Sequence, residues 1–324
     1  MSFFEGKRIV IPGGSGFLGS HLVDMMGEKG IAREAKISVP RSRESDLRDQ
    51  KSAISITKDK DILINLAANV GGIGYNLDHP GRLFYDNIMI GANLLEAARI
   101  NDIEKVVQIG TICSYPKYTS VPFREDDIWE GYPDETNAPY GIAKRALLVM
   151  ADAYRQEYGL KTINLLAVNL YGPRDRFDPR NSHVIPALMM KFYQAKTRSS
   201  KSVTLWGTGK ASREFLYVKD AAEAIILATE KYSGREPVNI GSNSEITIEK
   251  LAELIAGISG FSGTILWDSS MPDGQPRRLL NTERALKAFG FKAKMDLENG
   301  LRLAYDWYVT NAFREQPFEH NLIP

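Results

Sequence analysis

The stretch KRIVIPGGSGFLGSHL, residues 7–22, carries the strongest fold signal in the sequence. It begins as a short apolar strand, turns through closely spaced glycines and continues as a helix pattern over residues 17–29. Gly13, Gly16 and Gly19 form G-x-x-G-x-x-G, which lets backbone N–H groups approach a pyrophosphate at a helix N-terminus. Glycine-rich turns also arise for packing, but the position in the first strand-helix unit favours a dinucleotide site. The predicted contacts in this loop are Gly13, Gly16, Phe17, Leu18 and Gly19.

Strand and helix patterns alternate through the first half of the chain. Strand candidates lie at residues 7–12, 36–40, 61–67, 105–110 and 162–168, and helical spacing marks residues 81–100 and 140–159. Apolar strands that alternate with helices predict an α/β fold with a doubly wound parallel sheet of the Rossmann type. Because ligands bind at the carboxyl ends of such strands, we expect QIGTICSYP (108–116) and VNLYGP (168–173) at the site.

The sequence changes character after residue 170. Pro and Gly interrupt residues 171–187, 205–215 and 268–278, while residues 221–231, 248–257 and 296–310 show helical spacing. We therefore predict two interleaved domains. The Rossmann-type domain comprises residues 1–170 plus about 215–240, and a smaller, mixed substrate-binding domain comprises about 171–214 and 241–324.

The composition is that of a globular protein with no charge bias. The chain has 324 residues, of which 43% are hydrophobic, and 41 Lys and Arg balance 40 Asp and Glu. This balance gives no electrostatic argument for binding nucleic acid or an anionic membrane. A single cysteine cannot form an internal disulfide, and we find neither a signal-peptide pattern nor an apolar run of membrane-spanning length. We expect a cytoplasmic protein without a metal site.

The residues after the second strand predict the type of dinucleotide. An NAD enzyme usually places Asp or Glu there, on the ribose 2′-hydroxyl. Here the strand runs into Pro40, Arg41, Ser42 and Arg43, and the two guanidinium groups suit a 2′-phosphate. We therefore predict NADP(H) rather than NAD(H), with a solvated basic turn as the alternative.

Tyr140 and Lys144 form a Y-x-x-x-K pair on one face of a predicted helix. A nearby ammonium is expected to lower the pKa of the phenol, so that Tyr140 exchanges a proton with a carbonyl oxygen near neutral pH. Lys144 can also reach the nicotinamide ribose. The pair alone often marks an exposed helix face, but its position after a dinucleotide loop favours catalysis.

Together these features resemble the extended short-chain dehydrogenase/reductase family. In that family a Ser or Thr after the fourth strand completes a triad with the Tyr and Lys, and Thr111 matches that position. The segment DLRD (46–49) resembles the adenine-side segment of the family. The resemblance adds Asp46, Leu47 and Ala67 to the predicted cofactor contacts, together with Tyr140 and Lys144.

A closer resemblance extends over nearly the whole chain. The segments that carry it are NVGGIGYN (69–76), CSYPK (113–117), NAPYGIAK (137–144), NSHVIPAL (181–188), REFLYVKD (213–220) and PDGQPRRLL (272–280). They occur in the order seen in GDP-L-fucose synthases, which are 3,5-epimerase-4-reductases of a GDP-linked 4-keto sugar. The resemblance implies that Cys113 and His183 are the epimerisation acid and base. Two departures are Thr111, where this family commonly has Ser, and a glycine loop without an early basic residue.

The chemistry of such a substrate accounts for the pair. A ketone at C4 acidifies the C–H bonds at C3 and C5, and inversion requires a base on one face and an acid on the other. We expect Cys113 to remove protons and His183 to return them, with Tyr140 and Thr111 stabilising the enolate oxygen. A lone cysteine more often packs in a core and a lone histidine is more often structural. By resemblance, the substrate contacts are Asn169, His183, Trp206, Arg213 and Arg278, for which a core tryptophan and surface arginines are the alternatives.

Several alternatives remain open at this point. A GDP-mannose 3,5-epimerase uses a similar residue set without net reduction, and the sugar could be a heptose or a 3,6-dideoxyhexose. A regulatory protein on the same fold is a further class, because fold does not fix function. The apolar breadth of residues 82–95 and the resemblance predict a homodimer built on the helices 81–100 and 140–159.

Overall fold

The computed structural model describes residues 2–179, 181–271 and 273–315, with the backbone alone for 312–315. Its strands are β1 (Arg8–Val10), β2 (Lys36–Ser38), β3 (Ile62–Asn65), β4 (Lys105–Thr111), β5 (Thr162–Ala167), β6 (Asn169–Tyr171), β7 (Ser202–Trp206), β8 (Ser212–Tyr217), β9 (Val238–Ile240), β10 (Glu245–Thr247) and β11 (Thr264–Asp268). Its helices are α1 (Phe17–Glu28), α2 (Ile31–Glu34), α3 (Gln50–Thr57), α4 (Ile73–Asp78), α5 (Pro80–Ile100), α6 (Ala138–Tyr158), α7 (Val184–Thr197), α8 (Val218–Lys231), α9 (Ile248–Ser259), α10 (Glu283–Phe289) and α11 (Leu297–Glu315).

Six strands form a parallel sheet in the order β2-β1-β3-β4-β5-β9. The chain moves outward from β1 to β2 and then crosses to β3 on the other side of β1. Strand order therefore reverses beside β1, and a crevice opens at the carboxyl ends of β1 and β3 at such a point. The predicted α/β fold and all five predicted strands are confirmed.

Both faces of this sheet are buried, as its apolar strands predict. Side chains alternate along a strand, so Ile9 and Ile11 join one core with α8, while Val10 and Leu63 join another with α5 and α6. Helices on both faces leave the carboxyl edge of the sheet as the open side. Thr111 and Ala167 end β4 and β5 at this edge.

Two smaller sheets follow the main one: β10-β8-β6, and the parallel pair β11-β7. A separate apolar cluster joins them to α7, α9 and α11. The domain division stays a prediction, because β6 spans residue 170 and β8 spans the proposed boundary near residue 215. Residues 316–324 of the second predicted domain lie outside the described residues, as does Pro272 of the PDGQPRRLL segment.

The helix α7 corrects the interpretation of residues 171–187 as irregular. It begins at Val184 and places Pro186 in its first turn, where a missing N–H removes no intrahelical hydrogen bond. The proline was therefore compatible with a helix start rather than a loop. Among the helices within residues 2–315 that the structure describes, none combines the length and apolar character needed to cross a membrane.

Candidate active site

A single large cavity runs from the glycine loop along the carboxyl edge of the sheet to β7 and β11. Its volume is about 1050 Å³, at the upper end of the range for small-molecule sites. All of the predicted site residues line it except Arg41 and Arg43; the lining ones are Gly13, Gly16, Phe17, Leu18, Gly19, Asp46, Leu47, Ala67, Thr111, Cys113, Tyr140, Lys144, Asn169, His183, Trp206, Arg213 and Arg278.

The glycine loop forms a cradle with no room for side chains. Gly13 has φ +79°, and a Cβ there would lie 2.6 Å from the backbone carbon of Leu66 on the neighbouring strand end. A Cβ at Gly19 would lie 2.1 Å from the carbonyl oxygen of Gly13. Gly16 caps α1 without a side-chain hydrogen bond, and the first turn of α1 carries no acidic residue. The free N–H groups and the helix dipole therefore suit the pyrophosphate of a dinucleotide.

The segment after β2 places its arginines differently from the sequence-based expectation. Arg41 is exposed and Arg43 is 83% exposed beside Glu44, so neither side chain lines the cavity. Arg48, which the sequence analysis did not single out, lines it and binds Asp46 at 2.7 Å and Asp86 at 3.1 Å. The hydrogen bonds that the Arg48 side chain and backbone N–H donate to Asp46 lower the pKa of Asp46 to about 2. The role of Arg41 and Arg43 at a 2′-phosphate stays a prediction.

Thr111, Tyr140 and Lys144 lie together where β4 ends against α6. The Lys144 ammonium is 5.9 Å from the centre of the Tyr140 ring and donates to the carbonyl of Ile109 at 3.1 Å. Burial lowers the pKa of Lys144 to about 8. The expected lowering of the Tyr140 pKa is wrong for this structure: burial raises it, charge on Cys113 adds to the rise, and a hydrogen bond with Thr111 opposes it.

Cys113 lies two residues beyond the end of β4, in the short 3-10 helix Ile112–Ser114. Its N–H donates to the Thr111 hydroxyl at 3.1 Å, which ties the thiol-bearing turn to the triad residue. Gly141 of α6 permits this approach, because a Cβ there would lie 2.2 Å from the Cys113 carbonyl oxygen. The side chain is half-buried, lines the cavity and lies 3.6 Å from Nη1 of Arg278.

His183 is the residue immediately before α7, and its side chain also lines the cavity. The imidazole is exposed to the cavity, and its partial desolvation there, together with the positive charge of Arg176, lowers its pKa. The loop before it lies close to the 69–76 segment, because a Cβ at Gly72 would lie 2.3 Å from the carbonyl oxygen of Ser182.

The far end of the cavity carries the predicted substrate contacts. Trp206 is 55% exposed although large and aromatic, and it lines the cavity with Trp267 of the neighbouring strand. Asn169 donates to the carbonyl of Glu214 at 2.9 Å. Lys191 of α7 also lines this end and was missed, because α7 itself was not predicted.

Arg213 and Arg278 are buried rather than on the surface. Both terminal nitrogens of Arg213 donate to backbone carbonyls, those of Ser212, Asp273 and Gln275. Arg278 donates through Nε to the Gln275 side chain at 2.9 Å. Gln275 was not predicted, although it lies inside the PDGQPRRLL segment.

Comparison with known proteins agrees with this geometry. The NAD dependent epimerase/dehydratase family matches residues 9–241. The chain is 38% identical over 312 residues to the probable GDP-L-fucose synthase 1 of Oryza sativa subsp. japonica, covering 95% of this chain and 93% of that protein. It is 38% identical over 313 residues to the GDP-L-fucose synthase of Sinorhizobium fredii, covering 96% and 98%.

A solved structure has a similar three-dimensional fold. The GDP-mannoheptose C4 reductase of Campylobacter jejuni, solved with NADP bound, has a TM-score of 0.84 and 28% identity, covering 95% of this chain and 99% of that one. The chain therefore belongs to the NAD dependent epimerase/dehydratase family and, within it, to the family of the GDP-L-fucose synthases.

Proposed function

We propose that this protein is an NADPH-dependent enzyme that epimerises C3 and C5 of a GDP-4-keto-6-deoxyhexose and then reduces C4, giving GDP-L-fucose or a close analogue. One observation carries the proposal: a thiol, an imidazole and a Thr-Tyr-Lys set line the same cavity as a dinucleotide cradle. The curated relatives named GDP-L-fucose synthases support the substrate class.

The glycine loop and the residues beside it fit a dinucleotide. Gly13 to Gly19 would hold the pyrophosphate on N–H groups, and Asp46, Leu47 and Ala67 would line the adenosine half. The NADP bound in the 28% identical reductase supports NADP(H). When bound, the reduced nicotinamide supplies the hydride for C4.

In the epimerisation, Cys113 removes a proton from the carbon beside the ketone. The electron pair of the broken C–H bond passes to the C4 oxygen, and protonated His183 then returns a proton to the opposite face. The lowered pKa of His183 makes its protonated form a stronger acid, which favours this delivery. Thr111 and Tyr140 hold the oxygen on which the charge develops.

In the reduction, Tyr140 donates a proton to the C4 oxygen. The raised pKa of Tyr140 keeps its phenol protonated at neutral pH, as this role requires. Lys144 is buried near the phenol ring. Once the phenol gives up its proton, the Lys144 ammonium stabilises the phenolate, and the phenolate in turn favours the charged form of Lys144.

A different sugar is the second candidate, since the 28% identical structure is a reductase of a GDP-linked heptose. Incubation with GDP-4-keto-6-deoxy-D-mannose in deuterated water, with and without NADPH, tests both. Deuterium uptake without cofactor oxidation, followed by stoichiometric oxidation once NADPH is added, is the expected result. Uptake with no oxidation would indicate an epimerase without net reduction. No reaction, followed by turnover of a GDP-4-keto-heptose, would replace the hexose by the heptose.

We further propose that two copies of the chain pair through α5 and α6. These helices lie side by side and expose Phe84, Tyr85 and Val149, each at least 40% exposed. Large exposed apolar side chains on two adjacent helices favour an interface between identical chains. Light scattering should give twice the chain mass for the wild type and a monomer for Val149→Glu; a monomeric wild type would refute this.

The lack of a second cysteine supports a cytoplasmic location.

A further inference from the structure

The guanidinium of Arg278 contacts the sulfur of Cys113. Nη1 lies 3.6 Å from Sγ, and Nε donates to the Gln275 side chain at 2.9 Å. Gln275 in turn donates to the carbonyls of Pro116 and Lys117, at 3.2 and 2.8 Å. Those carbonyls follow Cys113 by three and four residues. Both ends of the contact are therefore fixed by the same hydrogen-bond network.

This guanidinium has no carboxylate of its own. Within residues 2–179, 181–271 and 273–315, the hydrogen bonds of Arg278 and of the adjacent Arg213 go to backbone carbonyls, to the Gln275 side chain and to the Cys113 sulfur rather than to Asp or Glu, although both arginines are buried. Burial and the charge of Arg278 both lower the pKa of Arg213. Two buried cations side by side require an anion nearby.

Other charged groups around the sulfur do not fill that role. Tyr140 faces Cys113 from α6 and stays a neutral phenol. Lys144 donates to a backbone carbonyl, and neither Lys144 nor His183 can carry a negative charge. The negative charges of Asp134 and Asp273 raise the pKa of Arg213 and offset part of the lowering, but among the described residues neither carboxylate forms a salt bridge with either arginine.

We propose that Arg278 is a positioning residue that holds the Cys113 sulfur as a thiolate for proton transfer at C3 and C5. This rests on the proposed function above. The thiolate takes the proton and becomes a neutral thiol, while the electron pair of the C–H bond moves to the C4 oxygen. Negative charge thus leaves the guanidinium as the enolate forms. His183 gives the second proton, and the thiol proton passes back to the imidazole through solvent.

The alternative role for Arg278, as one of the predicted substrate contacts, is to bind the diphosphate of the nucleotide sugar. A diphosphate role predicts no effect of Arg278 on the thiol when substrate is absent. A thiolate role predicts an effect in the free protein, because the contact to the sulfur needs no ligand. The two roles therefore separate in a measurement on the free enzyme.

Cys113 is the only cysteine of the chain, so alkylation of the whole protein reports on this thiol alone. The probe is iodoacetamide, which is neutral and is not attracted by the two arginines. Rates are measured from pH 5 to 10 for the wild type, Arg278→Gln, Arg278→Lys and the control Arg277→Gln. Arg277 is the neighbouring residue and pairs with Glu245 on the surface.

In Arg278→Gln, the pH of half-maximal alkylation should rise by about one unit or more, with a roughly tenfold slower rate at lower pH. Arg278→Lys keeps the charge and should recover part of the shift, and Arg277→Gln should match the wild type. Circular dichroism checks the fold; should Arg278→Gln not fold, Arg278→Lys decides alone, through an upward shift smaller than one unit. Coincident profiles in wild type and folded variants would overturn the proposal.

A kinetic readout separates this result from the proposed function. With GDP-4-keto-6-deoxy-D-mannose, Arg278→Gln should lower the kcat of deuterium exchange at least tenfold while KM changes less than threefold. A raised KM with unchanged kcat and alkylation would return Arg278 to the diphosphate. Because alkylation uses no sugar, a wrong sugar would abolish turnover and leave the alkylation result standing.

Discussion

Replacing Gly19 by alanine should disable the cofactor site without touching any group proposed for catalysis. The new Cβ would lie 2.1 Å from the carbonyl oxygen of Gly13, about 1.3 Å inside ordinary contact. The obstacle is backbone, so no side chain can rotate away. The glycine loop and the first turn of α1 must separate, and their N–H groups lose alignment with a pyrophosphate.

The expected size follows from the hydrogen bonds at risk. A hydrogen bond to a charged group contributes about 1.5–3 kcal/mol. Losing one should raise the Kd of NADPH by about 10- to 150-fold, and losing two by more. Gly27→Ala is the matched control, because Gly27 lies in the same helix and a Cβ there meets no atom within 4 Å. It should leave the Kd unchanged and raise stability by up to about 1 kcal/mol.

Fluorescence titration with NADPH measures both variants, and urea unfolding checks that each is folded. A folded Gly19→Ala protein that binds NADPH within twofold of Gly27→Ala would refute the cradle argument. In that case the cofactor would not rest on the turn between β1 and α1.

Further predictions concern the phenol, the ribose phosphate and a buried carboxyl. Tyr140→Phe should slow NADPH oxidation by about 10²- to 10⁴-fold, followed by absorbance with the keto-sugar substrate, while NADPH affinity is unchanged, because only the proton donor is lost. Oxidation at the wild-type rate would exclude Tyr140 as donor. The double change Arg41→Ala and Arg43→Ala should remove the preference for NADPH while NADH binding persists, as Kd values for both show; an unchanged preference would exclude these arginines. Asp175 is buried with its Oδ2 unpartnered, and burial raises its pKa to about 7. The folded protein therefore keeps a proton that the unfolded chain has lost, and stability falls as pH rises from about 4 to 7. Between pH 5.5 and 8, Asp175→Asn should lose about 2 kcal/mol less than the wild type in urea unfolding, and parallel losses would contradict this.

The sheet, and the proximity of the residues proposed for catalysis, could be predicted because their signals are local. Apolar strands such as 162–167 and the Y-x-x-x-K spacing of Tyr140 and Lys144 depend on residues close in sequence. By contrast, the contact between Arg278 and Cys113 joins residues 165 positions apart, and no spacing rule reports it. The helix α7 was missed because a proline stands in its first turn.

The direction of the Tyr140 pKa could not be predicted for a related reason. Helical spacing places Lys144 beside the phenol, but it gives no information on how deeply both are buried. Burial dominates in the structure and raises the pKa of the phenol while lowering that of the ammonium. The helical spacing predicted the proximity of Tyr140 and Lys144 but the wrong direction for the pKa of Tyr140.

The proposed function requires one cavity in which Cys113 serves epimerisation and Tyr140 serves reduction. The most direct test is Cys113→Ser incubated with GDP-4-keto-6-deoxy-D-mannose and NADPH in deuterated water, followed by mass spectrometry and NMR of the product. We expect NADPH to be oxidised still while C3 and C5 take up no deuterium, because the Thr-Tyr-Lys set is intact. Deuterium at both carbons at the wild-type rate would contradict this expectation.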